Sequence, residues 1–239
     1  MQIDRTLCEK GDLTASTEYR FDFSSFDRSY ESYYGNNIKL RYFIRVTIER
    51  SGLSSNIVHE QDFMVQAIDA LPEQNPPIKM EVGIEDCLHI CFNYDRSRLF
   101  LHEAITGTIE FKLVRLKVHT MELSIIRKEM TGVGASAFSE TDTLAKFELM
   151  DGLPVKAEVV PLRWIMSGID LTPTFKSVDN KFSVKYFVNL VLIDEQERKY
   201  FKQQEIHFFR AKLGTNDFRQ YIAPKKTKER LAKEEAANQ

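Results

Sequence analysis

The stretch "KFSVKYFVNLVLI" (residues 181–193) constrains this chain more than any other. Phe182, Val184, Tyr186, Val188, Leu190 and Leu192 recur at every second position. A period of two puts them on one face of an extended strand, whereas a helix would scatter them around its axis. The polar run "DEQER" (194–198) follows, and "KYFKQQEIHFF" (199–209) resumes the pattern, which predicts a long β-hairpin. "IKLRYFIRVTIER" (38–50) repeats the arrangement. Leu40, Tyr42, Ile44, Val46 and Ile48 share one face, and Arg41, Arg45, Thr47 and Glu49 the other, with Phe43 the exception. Further strands are predicted at 19–24, 58–68, 87–93, 106–119, 121–128, 143–149 and 155–165. Punctuation by "SGLSS", "TGVGAS", "MDGLP" and "DLTPT" makes antiparallel β-sandwich architecture the expectation.

Pro72, Pro76 and Pro77 in "DALPEQNPP" (69–77) interrupt strand pattern and mark a boundary. The expected division is into 1–76, 77–211 and a charged tail, helical or disordered, over 212–239. In that tail Glu229 and Lys233 stand four apart, a spacing that gives a helix weak support.

Bulk properties exclude several function classes. A formal net charge of −2 supplies no global field for nucleic acid. There is no run of 18 apolar residues to span a bilayer as a helix, and "MQIDRTLCEKGDL" lacks a signal-peptide core. Three cysteines do not form a disulfide framework, so the expectation is a cytosolic protein.

The most reactive-looking stretch is "IKMEVGIEDCLHICFNY" (78–94), which holds Glu81, Glu85, Asp86, Cys87, His89 and Cys91. If 87–93 is a strand, Cys87 and Cys91 lie about 13 Å apart along the backbone at ~3.3 Å per residue. Two thiolates on one zinc need sulfurs within roughly 4 Å. Cys8, His59, His102, His119 and His207 are scattered and supply no ligand spacing. "GIED" reads as a turn with solvated acids, and there is no nucleophile elbow, phosphate loop or H-E-x-x-H pattern. The stretch is therefore read as a strand, the chain as a non-enzyme, and no metal or cofactor is called for. A β-sandwich metalloenzyme built on Cys87 and His89 is the rival from another class.

Four blocks carry a resemblance: "YESYYGNNIKLRYFIRVTI" (30–48), "IKMEVGIEDCLHI" (78–90), "AKFELMDGLPVKAEVVPLR" (145–163) and "KFSVKYFVNLVLIDEQERKYFKQQEI" (181–206). In this order they resemble the vacuolar protein sorting-associated protein 26 family, the arrestin-like subunits of retromer. The resemblance implies tandem arrestin-like β-sandwiches, the N-terminal one incomplete because family members carry more chain before "GDLTASTEYRFDF". It implies a non-enzymatic adaptor that retrieves transmembrane cargo from endosomes to the Golgi and the plasma membrane. The alternative is an arrestin-like adaptor of a related, non-retromer sorting complex.

Implied partners are the solenoid subunit, vacuolar protein sorting-associated protein 35, together with sorting nexins and the cytosolic tails of cargo. The membrane is met only through those partners, peripherally at endosomes. Within the matching block, Leu149 and Met150 stand where the family places its apolar contact with the solenoid. Val82 and Phe201 match pocket positions beside which a cargo tail adds as an extra strand. The hairpin "RSGLSSNIVHEQ" (50–61) would correspond to a sorting-nexin surface, but it departs from the family in length and composition.

Overall fold

The computed structural model describes residues 2–12, 14–23, 30–52, 54–84, 86–132, 136–215, 218, 219 and 221. Its strands, in chain order, are β1 (Tyr33–Tyr34), β2 (Lys39–Leu40), β3 (Tyr42–Ile48), β4 (Ile57–Phe63), β5 (Ile78–Ile84), β6 (Leu88–Tyr94) and β7 (Arg98–Phe100). They continue with β8 (Ala104–Val114), β9 (Val118–Thr131), β10 (Phe138–Asp151), β11 (Val159–Ile165), β12 (Phe175–Val178), β13 (Phe182–Asp194) and β14 (Lys199–Phe209). The all-β expectation holds. Of the predicted strands, 19–24 is absent over its described residues 19–23, where aromatic alternation without a paired neighbour leaves irregular backbone. The segment 58–68 pairs only as far as Phe63, and 106–119 is two strands broken at 115–117, where Arg115 and Leu116 N–H groups turn onto the Cys87 carbonyl.

Two compact units divide the chain: Met1–Ser32 with Leu40–Ala67, and Tyr33–Lys39 with Ile68–Gln239. In the first, β3 and β4 form an antiparallel ribbon with Arg45 directly opposite Glu60, an ion pair of 2.6 Å. Phe43, the exception to the alternation, lies on this charged face because the guanidinium groups of Arg41 and Arg45 sit 4.7 and 5.2 Å from its ring centre. A cation over an aromatic face is attracted to the ring quadrupole.

The second unit is a sandwich of a four-stranded sheet, ordered β11-β8-β6-β5, and a six-stranded sheet, ordered β10-β9-β13-β14-β7 with β12 also on β13. Alternation fills the space between them. Ile90 and Phe92 on β6, Ile109 and Phe111 on β8, and Trp164 on β11 face Leu123 and Ile125 on β9 and Val188 and Leu190 on β13, all buried. Each such side chain contributes ~1.5–3 kcal/mol on leaving water. Trp164 stacks on Phe147 of β10 at 5.5 Å, joining the two sheets at their edges.

The segment before β5 is pinned to this unit. Asp69 N–H donates to the Arg210 carbonyl at 2.8 Å, and Asn75 Oδ1 accepts from Ser97 and Arg98 N–H at 3.0 and 2.9 Å. The chain after β14 also docks, with Phe218 buried against Phe100 at 5.0 Å and Tyr221 against Phe209 at 5.8 Å. Glu229 and Lys233 lie outside the described residues, as do all residues from 222 onward.

Candidate functional site

Leu149 and Met150 lie at the end of β10, which among the described residues pairs with β9 alone and is thus an edge of the six-stranded sheet. Phe147 is opposite Leu123, Glu148 opposite Glu122, and Met150 opposite Met121, so the register shifts by one and Leu149 is the extra residue of a β-bulge. A bulge re-aims the side chains beyond it. Without it Met150 would share the outer face with Glu122; with it Met150 joins the inner face of fully buried Met121. Both Leu149 and Met150 are half-buried.

Beyond the bulge, Gly152 takes φ 132°, a backbone state suited to glycine, and its N–H donates to the His119 carbonyl at 2.8 Å. The loop 152–158 is braced from within and from β8: Val155 N–H donates to Glu158 Oε2 at 2.9 Å, and Ala157 N–H to the Phe111 carbonyl at 2.7 Å. Leu153 and Val155 project from this braced loop 56% and 65% exposed. Sequence reasoning passed over both. The available signal was two apolar residues in the turn-forming run "DGLPVK", where polar residues are the rule.

Val82 lies on β5, the opposite edge strand of the four-stranded sheet from β11. It stands across from fully buried Ile90, half-buried on the inner face. Phe201 lies on β14, opposite Val191, and is 73% exposed. β14 meets β7 only at His207–Phe209, so among the described residues the strand from Lys199 to Ile206 has a neighbour on one side alone. Val82 and Phe201 therefore belong to two sheets, each on a strand with an open edge. Open strand edges offer unpaired N–H and C=O groups to an added strand.

The stretch 78–94 forms the β5–β6 hairpin, with Glu85 outside the described residues. His89 and Cys91 share the outer face with Glu81, whose carboxylate lies 3.4 Å from His89 Nε2 and 3.7 Å from Cys91 Sγ. The Lys79 ammonium at 3.2 Å, and then His89, hold the Glu81 carboxyl below its usual range. Cys87 sits before the strand, in the turn. Among the described residues no group of three His, Cys, Asp or Glu is placed to hold a metal ion.

A second polar assembly is buried in the same unit. Glu129 on β9 accepts from Tyr33 Oη, from Asn36 N–H at 3.3 Å and from Asn37 N–H at 3.2 Å. Asn36 Nδ2 also reaches Asp142 at 3.0 Å, and Arg127 Nη2 reaches the same carboxylate at 3.2 Å. Burial first, then the bond to Glu129, push the Tyr33 phenol far above its ordinary range. This cluster binds Tyr33–Lys39 to the sandwich.

A family model described as vacuolar protein sorting-associated protein 26 matches residues 1–197. The chain is 51% identical over 212 residues to vacuolar protein sorting-associated protein 26 of Plasmodium falciparum, covering 89% of this chain and 71% of that protein. It is 53% identical over 206 residues to the Dictyostelium discoideum protein of the same name, covering 86% and 59%. With vacuolar protein sorting-associated protein 26B of Homo sapiens it shares 49% over 210 residues, covering 88% and 62%. Against the last two, then, the chain spans about three fifths of its relative's length. The solved structure of Spo0M, a sporulation control protein from Bacillus subtilis, overlaps 52% of this chain and 49% of that one at 13% identity with a TM-score of 0.40. With a family model spanning most of its length and relatives near half identity, this all-β chain belongs to the vacuolar protein sorting-associated protein 26 family.

Proposed function

We propose that the chain is a non-enzymatic adaptor subunit of retromer, joining the solenoid subunit, vacuolar protein sorting-associated protein 35, through the end of β10 and the loop after it. The observation that carries this reading is the braced loop 152–158, which holds Leu153 and Val155 in solvent beside half-buried Leu149 and Met150. Four apolar side chains on an edge strand and its loop form a compact anchor, and interface energy is concentrated in such anchors. Pre-set loop geometry lowers the ordering cost of binding. Cargo tails, held with a sorting nexin, would extend an open strand edge near Val82 or Phe201. Membrane contact at endosomes would then come through those partners.

The test is titration calorimetry of the full chain against the solenoid subunit from the same source. Leu153→Asp and Val155→Asp should each weaken binding by roughly thirtyfold, the equivalent of ~2 kcal/mol, without changing the melting temperature. Met150→Asp should weaken binding too, but with some loss of stability, because Met150 shares the inner face of Met121. Unchanged affinity in the Leu153 and Val155 variants overturns the assigned surface. A well-folded chain that does not bind the solenoid belongs instead to a related, non-retromer complex.

A further inference from the structure

At the far end of the six-stranded sheet from Met150, residues of β9, β10, β12 and β13 line an open surface hollow of about 710 Å³. Among the described residues its walls carry Lys128, Lys176 and Lys181 and no carboxylate. On the same sheet face Lys146 pairs with Glu122 at 3.2 Å and Lys185 with Glu205 at 3.5 Å. Lys128, Lys176 and Lys181 have no such ion pair among the described residues. The cross-strand neighbours of Lys128 are Thr141 on one side and Lys185 on the other. Glu205 offsets the charge of Lys185, whereas Lys128 has no carboxylate directly opposite it on either strand. The excess positive field also reaches His207. Burial lowers its imidazole, and against the opposing pull of Glu205 the charges of Lys176, Arg98 and Lys185 lower it further.

The hollow also supplies hydrogen-bond donors. Ser139 and Ser183 flank Met130 on one rung of the sheet, so their hydroxyls occupy the same face. Lys181 is held by a two-residue turn in which Asp179 and Asn180 both take positive φ and Lys181 N–H closes onto the Val178 carbonyl at 2.8 Å. Asn180 Oδ1 accepts from Ser177 at 3.2 Å, which turns the carboxamide so that its NH₂ end remains to donate. Three ammonium groups with hydroxyl and amide donors suit phosphoryl oxygens, for which lysine acts as a point-charge binder. The volume falls in the range of small-ligand sites, ~300–1,000 Å³. A phosphoryl group carries roughly −1.5 to −2 charges, so three lysines match a ligand with two or more of them.

We propose that this hollow is a binding site for a compact polyphosphorylated ligand, either a free phosphate compound or a phosphorylated lipid headgroup, held by Lys128, Lys176 and Lys181. From Ser139 to Met150 the sheet edge runs roughly 36 Å at ~3.3 Å per residue, so the site is separate from the solenoid contact.

The experiment is calorimetric titration of the full chain with inorganic tripolyphosphate at low and at physiological salt. A parallel arm uses phosphatidylcholine vesicles carrying a phosphomonoester headgroup, with vesicles of equal charge from phosphatidylserine as control. Saturable binding should fall at least tenfold in the triple variant Lys128→Gln, Lys176→Gln, Lys181→Gln. It should persist in Lys112→Gln, Lys156→Gln, Lys202→Gln, which removes the same charge elsewhere. Vesicle binding that tripolyphosphate displaces assigns the headgroup as the source; tripolyphosphate binding without vesicle binding assigns a free compound. No saturable binding of either probe, or equal loss in both triple variants, overturns the proposal.

Discussion

Glu129 offers the sharpest test of how the sandwich unit is held together. Its side chain is 2% exposed and receives three donors: the fully buried Tyr33 hydroxyl and the Asn36 and Asn37 peptide N–H groups. Glu129→Ala removes the acceptor for all three. A buried hydroxyl left without a partner costs about 1–3 kcal/mol, and each partly buried peptide N–H about 0.5–1 kcal/mol. The total is about 3 kcal/mol, equivalent to a fall in melting temperature of roughly 6–12 °C for a chain of this size. Arg127 also loses its 3.8 Å ion pair with Glu129 and, among the described residues, keeps only Asp142 at 3.2 Å.

Glu129→Gln keeps one carbonyl acceptor and should cost about half as much. Tyr33→Phe, which removes a donor and leaves the carboxylate with its two N–H groups, should cost least. Gly35→Ala should approach the loss of Glu129→Ala, since a methyl group at Gly35 would overlap Glu129 Oε1 and the Tyr33 ring. Urea unfolding followed by Trp164 fluorescence reads this unit alone, because Trp164 is the single tryptophan and lies in the sandwich core. Tyr33→Phe proving as costly as Glu129→Ala, or a Glu129→Ala effect below about 0.5 kcal/mol, would refute the reasoning.

Alkaline pH should unfold the sandwich unit. Burial raises the phenols of Tyr33, Tyr94 and Tyr186, so above pH ~10 the unfolded chain releases protons that the folded chain retains, and stability falls by about 1.4 kcal/mol per pH unit for each. Tyr94→Phe should make that slope shallower; an unchanged slope in urea midpoints measured from pH 9 to 11.5 would contradict it. At the β13–β14 turn, burial pushes Asp194 up, but the Arg198 N–H and guanidinium, the Tyr200 hydroxyl and the Gln196 N–H outweigh it and hold the carboxyl at about 2. Its contribution is therefore complete above the ordinary aspartate range and is lost as pH falls toward 2. Asp194→Asn should abolish that acid-dependent segment in hydrogen exchange of the hairpin amides. Trp164→Ala should cost about 3–5 kcal/mol by opening the core against Phe147, and Trp164→Phe distinctly less, measured by circular dichroism during thermal unfolding.

Alternation by itself determined that this chain folds into strands, because a period of two admits no other buried arrangement; β13 and β14 appear in the structure with the bounds that "KFSVKYFVNLVLI" and "KYFKQQEIHFF" announce, to within a residue. Long matching blocks determined the family, since residue order over scores of positions is specific in a way no short motif can be. Tertiary structure decided what a strand's neighbours are, and hence everything about sites. Whether β10 is an edge depends on which strand pairs with its other side, and the bulge that turns Met150 inward is a register shift against β9, invisible in "FELMD". Glu129 reads as a solvated strand carboxylate until Tyr33 and Asn36, some ninety residues earlier, close over it. Lys128, Lys176 and Lys181 are three ordinary surface lysines in sequence; pairing of β12 and β9 with β13 gathers them around one hollow. Side-chain periodicity is local, whereas charge, burial and hydrogen bonding depend on residues distant along the chain, and only the fold brings those together.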